Sequence, residues 1–338
     1  MIQKIGFCCK FMETTTKGMV SVQGLNTGTT TVAWLNRQSK AVAEQKLQDL
    51  MVSNIEATRR LVERVGSLDR SLRMVRLGSD ILPVYTEPTW GYFFRDSSNR
   101  SYCEREFARI GQLARDLDVR LSFHPGQFCV LASDKVDVVG RSIEEFEYHV
   151  DMARWMGYGA TWHDHGFGIN VHISGKQGPQ GIINALQNMT PEARNLITIE
   201  NDENSWGIDA SLELEDHVAL VLDIHHHWVR NAEYIDIQDD RVQRVIRSWR
   251  GVRPLLHYSV SREDILVGHD ASVKPDMMSL QKNGHKRQKL RAHSDFYWNS
   301  AANDWALTFL PYFDLECESK AKNLASFRLN EYRLYKTA

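Results

Sequence analysis

Eight short apolar runs, separated by stretches of helical periodicity, are the feature of this 338-residue chain that most constrains its fold. The runs fall at 4–10, 72–78, 119–125, 168–174, 196–202, 218–224, 254–260 and 311–317, each rich in Val, Ile, Leu or Phe. Between them, 45–66 sets Leu47, Leu50, Met51, Ile55, Thr58, Leu61, Val62 and Val65 on one stripe, with Gly66 as a stop. Segment 104–117 places Phe107, Ile110, Gly111 and Ala114 in the same way. Ser142 with Glu145 reads as a capping box opening a helix over 143–156. Further helices are expected near 181–189, 240–249 and 321–335. Strands that alternate with helices pair in parallel. Eight such units predict an α/β fold, a single (β/α)8 TIM barrel over 1–338, with an open doubly wound sheet as runner-up.

Composition narrows the setting. The chain is 42% hydrophobic and 25% charged, as soluble globular proteins are. No apolar run reaches the roughly 18 residues a membrane helix needs, and the first residues carry no charged leader followed by an apolar segment. Cys8, Cys9, Cys103, Cys129 and Cys317 show neither a framework spacing nor a CxxC pair, which favours a reducing compartment. The expectation is a soluble monomer of the cytoplasm, or of wherever the genome lies, neither secreted nor tied to a membrane. Lys and Arg number 41 against 43 Asp and Glu, for a net charge of −2, so any polyanion site has to come from local clustering.

In a (β/α)8 barrel the carboxyl ends of the strands face the active-site mouth. Here those ends change character abruptly. The third run ends in His124, the fourth in His172 and the fifth in Glu200. The sixth ends in Asp223, followed by His225, His226 and His227. The seventh carries His257, the eighth leads to Glu316 and Glu318, and His293 lies in the connection after the seventh. Any one of these could be a satisfied core histidine or a salt-bridged carboxylate, and the histidine triplet alone could be a solvated loop. Together they predict a site for two or three divalent ions at the C-terminal face, because packing does not select ionisable groups whose burial is costly. Mixed imidazole and carboxylate donors suit Mn²⁺, Zn²⁺, Co²⁺ or Fe²⁺ better than Mg²⁺. Such a cluster can hydrolyse a phosphodiester or hold a sugar for isomerisation or epimerisation; the donor set does not choose.

The motifs choose further. His124-Pro-Gly-Gln-Phe128, Val171-His-Ile-Ser-Gly175, Glu200-Asn-Asp-Glu203, Asp223 with the histidine triplet, and Glu318-Ser-Lys-Ala-Lys322 resemble the UV-damage endonucleases. Ile5-Gly-Phe7, Arg76-Leu-Gly-Ser-Asp80 and Leu82-Pro83 fit the same family, in order along nearly the whole chain. The resemblance implies a barrel repair nuclease that nicks damaged double-stranded DNA 5′ to ultraviolet photoproducts and some other lesions. It implies a metal cluster, commonly manganese, and no nucleotide cofactor. The ligands it implies are His124, His172, Glu200, Asp223, His226, His257, His293 and Glu318, with Glu200, Asp223 and Glu318 catalytic. Family spacing selects His226 over His225 and Glu318 over Glu316. Gln127 and Phe128 match a pair that enters the duplex at the lesion; a core position for Phe128 is the alternative. One departure stands out: Leu255 occupies a position where the family often has a modified lysine. An abasic-site endonuclease and a sugar isomerase or epimerase remain the rival activities.

Two loops complete the expectation. Segment 83–95 interleaves rings, Trp90 and Tyr92 among them, with Arg95, and reads either as a stacking surface for distorted DNA or as a self-packed aromatic cluster. The connection at 261–292 is long and basic, with Lys274, Lys282, Lys286, Arg287, Lys289 and Arg291, and is expected to meet phosphates.

Overall fold

The computed structural model describes residues 2–337. Its first strand, β1 (Ile5–Cys8), is followed by an antiparallel hairpin of β2 (Met12–Thr15) and β3 (Gly18–Ser21). Then come β4 (Met74–Arg76), β5 (Arg120–Phe123), β6 (Gly168–His172), β7 (Ile197–Glu200), β8 (Ala219–Asp223), β9 (Leu255–Tyr258) and β10 (Asp314–Cys317). Among the described residues, β1 and β4–β10 close into one parallel barrel, β1 pairing with both β4 and β10. Each of the eight apolar runs supplies one barrel strand, and the open sheet is excluded. No helix among the described residues is long and apolar enough to cross a membrane.

The strands alternate sharply. One set of residues, among them Phe7, Val75, Phe123, Val171, Ile199, Leu222 and Leu315, points outward and is buried beneath the surrounding helices. The Lys40–Gly66 helix buries every member of its expected stripe there. The Ser97–Asp116 helix lies against the end of the Val136–Trp155 helix where a Cβ at Gly111 would collide with the Met156 carbonyl, so glycine is required. The other set faces the barrel interior and is mixed: Met74, Ala219, Val221 and Leu255 form an apolar layer, and polar residues lie above and below it. At its amino end Asp314 is held between Arg120, at 2.8 Å, and Arg253, at 2.7 Å.

One local expectation is corrected, and one element carries no signal in the sequence. The Val136–Trp155 helix starts well before Ser142, whose hydroxyl instead donates back to the Val138 carbonyl at 2.7 Å and accepts the Val130 amide at 2.9 Å. Polar side chains inside a helix can satisfy backbone groups of a neighbouring loop, which mimics a cap in sequence. The β2–β3 hairpin is exposed and weakly apolar, so it gives no periodic signal.

The outer layer also holds a buried neutral histidine. His149 is fully enclosed, its Nδ1 donating to the Glu145 carbonyl at 2.8 Å and its ring edge-on to Phe123. Burial pushes it from 6.5 down to about 4, against that hydrogen bond. Between those values the unfolded chain binds the proton and the folded chain does not, so this group lowers stability as pH falls. The loss amounts to roughly 3 kcal/mol across the window. Urea unfolding of metal-free His149→Gln between pH 6.5 and 4 should therefore show a shallower acid loss than the wild type; parallel curves would remove His149 from the account.

Candidate metal centre

Parallel pairing brings the strand ends to one mouth, and register sets His172 beside Glu200 and Asp223 beside His257. Glu200, the last residue of β7, is the hub. Its Oε1 lies 3.1 Å from His257 Nδ1 and 3.3 Å from His226 Nδ1; its Oε2 lies 3.5 Å from His124 Nε2 and 3.7 Å from His172 Nε2. Asn170, two residues before His172 on the same inward face, donates to Oε2. Glu318 stands 3.5 Å from His257 Nδ1, and its backbone carbonyl accepts His293 Nδ1 at 2.7 Å. All eight residues expected around the centre thus converge.

The histidine triplet is no solvated loop. It forms the first turn of the buried Ile224–Asn231 helix, which Asp223 caps by accepting the His226 amide at 2.7 Å. The cap turns His226 toward Glu200. His225 stacks on Trp228, and His227 pairs with Glu233 at 3.0 Å, so the triplet divides into one inward and two supporting residues.

Burial opposes the charge on Glu200, yet His257 and His172, with His124 and His226 beside them, hold its carboxyl well below the usual range. His257 is raised to about 9, burial being outweighed by Glu200 and Glu318. Burial lifts Asp223 to about 6, despite His226. Burial also lowers His124. Glu200 Oε1, Asp223 Oδ2 and both ring nitrogens of His257 are buried without a hydrogen-bond partner among the described residues. Facing donors left unpaired in this way are what a bound cation would satisfy. Donor atoms of His124, His172 and Glu200, of Glu200, Asp223 and His257, and of Cys8, Glu316 and Glu318 form three groups, each within 4.8 Å.

Several members carry no assignment from the sequence. Asp202 accepts His172 Nδ1 at 3.1 Å, fixing that ring. Glu203 lies 3.5 Å from His226 Nε2 and pairs with Arg291 at 3.0 Å. Arg76 binds both Glu318 and Glu316. Asn170 and Arg76 leave one signal in the sequence, a polar residue alternating with apolar ones in a short strand, whereas Glu316 is named there as a strand-end acid.

Beside the centre opens a cleft of about 190 Å³, lined by His124, Gln127, His172, Asp202, His226 and Arg291. Phe128 is 84% exposed at its rim, so the core alternative is discarded. Trp90 is a correction: it is 7% exposed, donates Nε1 to Asn36 and stacks on Tyr92, so its face is closed to a base. Tyr92 is 38% exposed with its hydroxyl on Glu44, and the self-packed reading of this loop holds. Lys286, Arg287 and Lys289 are exposed in the basic connection, which joins the mouth through Arg291 and through a bridge between Ser261 and His293.

Fold and site define an α/β barrel whose mouth gathers imidazole and carboxylate donors beside an open cleft. The model of the family described as UV-endonuclease UvdE matches residues 3–337, and the chain belongs to that family. It is 26% identical to a UV DNA damage endonuclease of Bacillus velezensis over 248 residues, 71% of this chain and 73% of the relative. A UV DNA damage endonuclease of Bacillus cereus is 23% identical over 316 residues, 89% and 87% of the two chains. The crystal structure of SacUVDE superposes with a TM-score of 0.71 at 20% identity, covering 99% of this chain and 98% of that one. Endonuclease IV from Thermus thermophilus superposes with a TM-score of 0.52 at 11% identity over 82% and 94%, sharing the barrel.

Because Glu200 is the first neighbour holding the proton on His257, Glu200→Gln should move the His257 midpoint down from about 9 in the metal-free protein. Ring-proton NMR titration reads this directly; an unmoved midpoint would show that Glu200 is not the hub.

Proposed function

We propose that this chain is a DNA repair endonuclease that nicks the backbone 5′ to ultraviolet photoproducts by cation-assisted hydrolysis, leaving a 3′-hydroxyl and a 5′-phosphate. One observation carries the reading: a buried set of unpaired imidazole and carboxylate atoms lies behind His124, His172 and His226, which line a cleft together with Gln127, next to the exposed Phe128.

His124, His172, Glu200, Asp223, His226, His257, His293 and Glu318 would hold two or three divalent ions, with Mn²⁺, Zn²⁺, Co²⁺ and Fe²⁺ suited to the mixed donors and manganese the one the family resemblance implies. When bound, such ions lower the pKa of a water and offset charge on the scissile phosphate. The protein's own part is positional. Asn170 fixes the Glu200 carboxylate, Asp202 fixes the His172 ring, and the Asp223 cap fixes His226. Glu200, Asp223 and Glu318 would supply the negative charge that balances bound cations. Phe128 can fill the gap left by unstacked bases while Gln127 meets exposed base edges, offsetting part of a cost of a few kcal/mol. A lesion already weakens stacking, which favours damaged over intact duplex. Lys286, Arg287, Lys289 and Arg291 would meet flanking phosphates.

The experiment is incision of irradiated, unirradiated and abasic plasmid with Mn²⁺. Cutting of irradiated plasmid with the abasic substrate also cut is compatible; cutting confined to abasic DNA replaces this reading with an abasic-site endonuclease. Glu200→Gln should abolish nicking, by at least ~10³-fold on the scale of a lost charge-stabilising group, while lesion binding survives. Phe128→Ala should weaken discrimination between irradiated and intact duplex. Replacing Lys286, Arg287 and Lys289 together by alanine should weaken binding and flatten its salt dependence by up to about 0.9 in log–log slope for each phosphate no longer neutralised. An unchanged slope would remove the loop from the interface.

A further inference from the structure

The inward face of β10 carries Asp314 and Glu316, and Glu318 follows just past the strand's end, so three acids stand at alternate positions from the barrel's amino end toward its mouth. Their partners differ. Asp314 lies between two guanidinium groups, Arg120 and Arg253, and its charge is matched. Glu316 is fully buried and has a fraction of one cation: Arg76, 3.2 Å from its Oε1, is also bound to Glu318. Its remaining contacts are weak or neutral, a hydroxyl donated by Ser122 to Oε2 at 3.2 Å and the Cys8 thiol to Oε1 at 3.2 Å. Among the described residues Arg76 is thus the one guanidinium or ammonium paired with Glu316 and Glu318, and the neighbouring Glu200 and Asp223 are faced by imidazoles alone. An excess of that kind inside a barrel is costly unless mobile cations complete it.

A second observation points to where one would sit. His257 Nε2 is buried, has no hydrogen-bond partner among the described residues, and lies 3.9 Å from Glu316 Oε1. That gap is too long for a hydrogen bond, yet two donors each about 2.0–2.2 Å from one ion can stand up to about 4.4 Å apart. Register places Glu316 beside His257, and Cys8, Glu316 and Glu318 offer donor atoms within 4.8 Å of one another. The position two residues before His257, Leu255, lies in an apolar cluster with Met74, Val221 and Trp249 and offers no donor.

We propose that Glu316 is a further cation-holding carboxylate of the centre, closing its inner end together with Glu318 and His257. The proposal rests on the metal-dependent reading given above. It assigns to β10 the inner donor that β9 lacks at Leu255, and it gives Arg76 the part of a positioning residue that spaces Glu316 and Glu318.

The test is Mn²⁺ binding to the full chain, read by elemental analysis and calorimetry. Wild type is expected to bind the ions, and Glu316→Gln to bind one fewer or to lose at least tenfold in affinity for one of them. Glu316→Asp, which keeps the charge but withdraws it by one methylene, should fall between. Circular dichroism of the metal-free proteins checks that both variants fold. Stoichiometry and affinity unchanged in Glu316→Gln would overturn the proposal and leave Glu316 as a counter-ion of Arg76. A wild type that binds no Mn²⁺ would overturn the proposed function as well. Independently of any variant, Mn²⁺-soaked crystals of the wild type should show an anomalous peak within bonding distance of a Glu316 oxygen; peaks near Glu200 with none near Glu316 would also refute it.

Discussion

The interaction on which the rest depends is the enclosure of Glu200. A carboxylate this deep would be expelled or neutralised unless opposite charge surrounded it. Four imidazoles from four different strands or their following turns, those of His124, His172, His226 and His257, supply that surround, and Asn170 binds the oxygen facing away from His257. Closure of the barrel makes this possible: parallel pairing is the device that brings the ends of β5 through β9 to one point, where the imidazoles stabilise the charge. Remove the hub and His257, His226 and His172 lose the one carboxylate they share, each keeping only its own acid: Glu318 for His257, Asp223 and Glu203 for His226, and Asp202 for His172. The site and the upper barrel are therefore one electrostatic unit.

That unit explains which parts of the molecule are readable from the chain. The outward halves of the strands are apolar and regular, so Phe7, Val75, Phe123, Ile199 and Leu222 announce eight strands and their order. Helical stripes such as that of Lys40–Gly66 are equally plain, because one face meets the sheet. The strand-end residues are legible as chemistry, since His124, His172, Glu200, Asp223 and His257 interrupt apolar runs. Their convergence is an expectation of fold geometry. Choosing His226 from its triplet needs the family spacing, and the structure supplies the physical reason: the Asp223 cap starts a helix there and rotates the neighbouring histidines away.

What stays hidden is of two kinds. Arg76, Ser122 and Asn170 lie inside short strands, where alternation makes them read as ordinary solvent-facing positions; only closure of the sheet turns that face inward. Trp90 and Ser142 mislead for the opposite reason. Each has a side chain whose polar atom can serve several structural roles, and the partner that decides its role, Asn36 for Trp90 and the Val130 amide for Ser142, is distant along the chain or outside the helix considered. Local pattern reports periodicity well and long-range partners poorly.

The basic connection shows how far the hub's influence reaches. It is anchored at the mouth by side chains that belong to the centre: Arg291 pairs with Glu203, which faces His226, while His293 donates to the carbonyl of Glu318. His225, stacked on Trp228, packs edge-on against His293. Lys286, Arg287 and Lys289 are exposed on the same segment, Arg287 donating to the Arg230 carbonyl at 2.8 Å. A chain of net charge −2 has little general attraction for a polyanion, so the placement of these few cations matters more than their number. Because the anchors are the centre's own neighbours, the register between the positive surface and the buried carboxylates is set by contacts of a few ångströms, with no dependence on the length of the connection itself. A loop of this size held at its base by such contacts can vary in its outer residues while keeping that register, which is how a barrel fixes chemistry in its strands and leaves recognition to its loops.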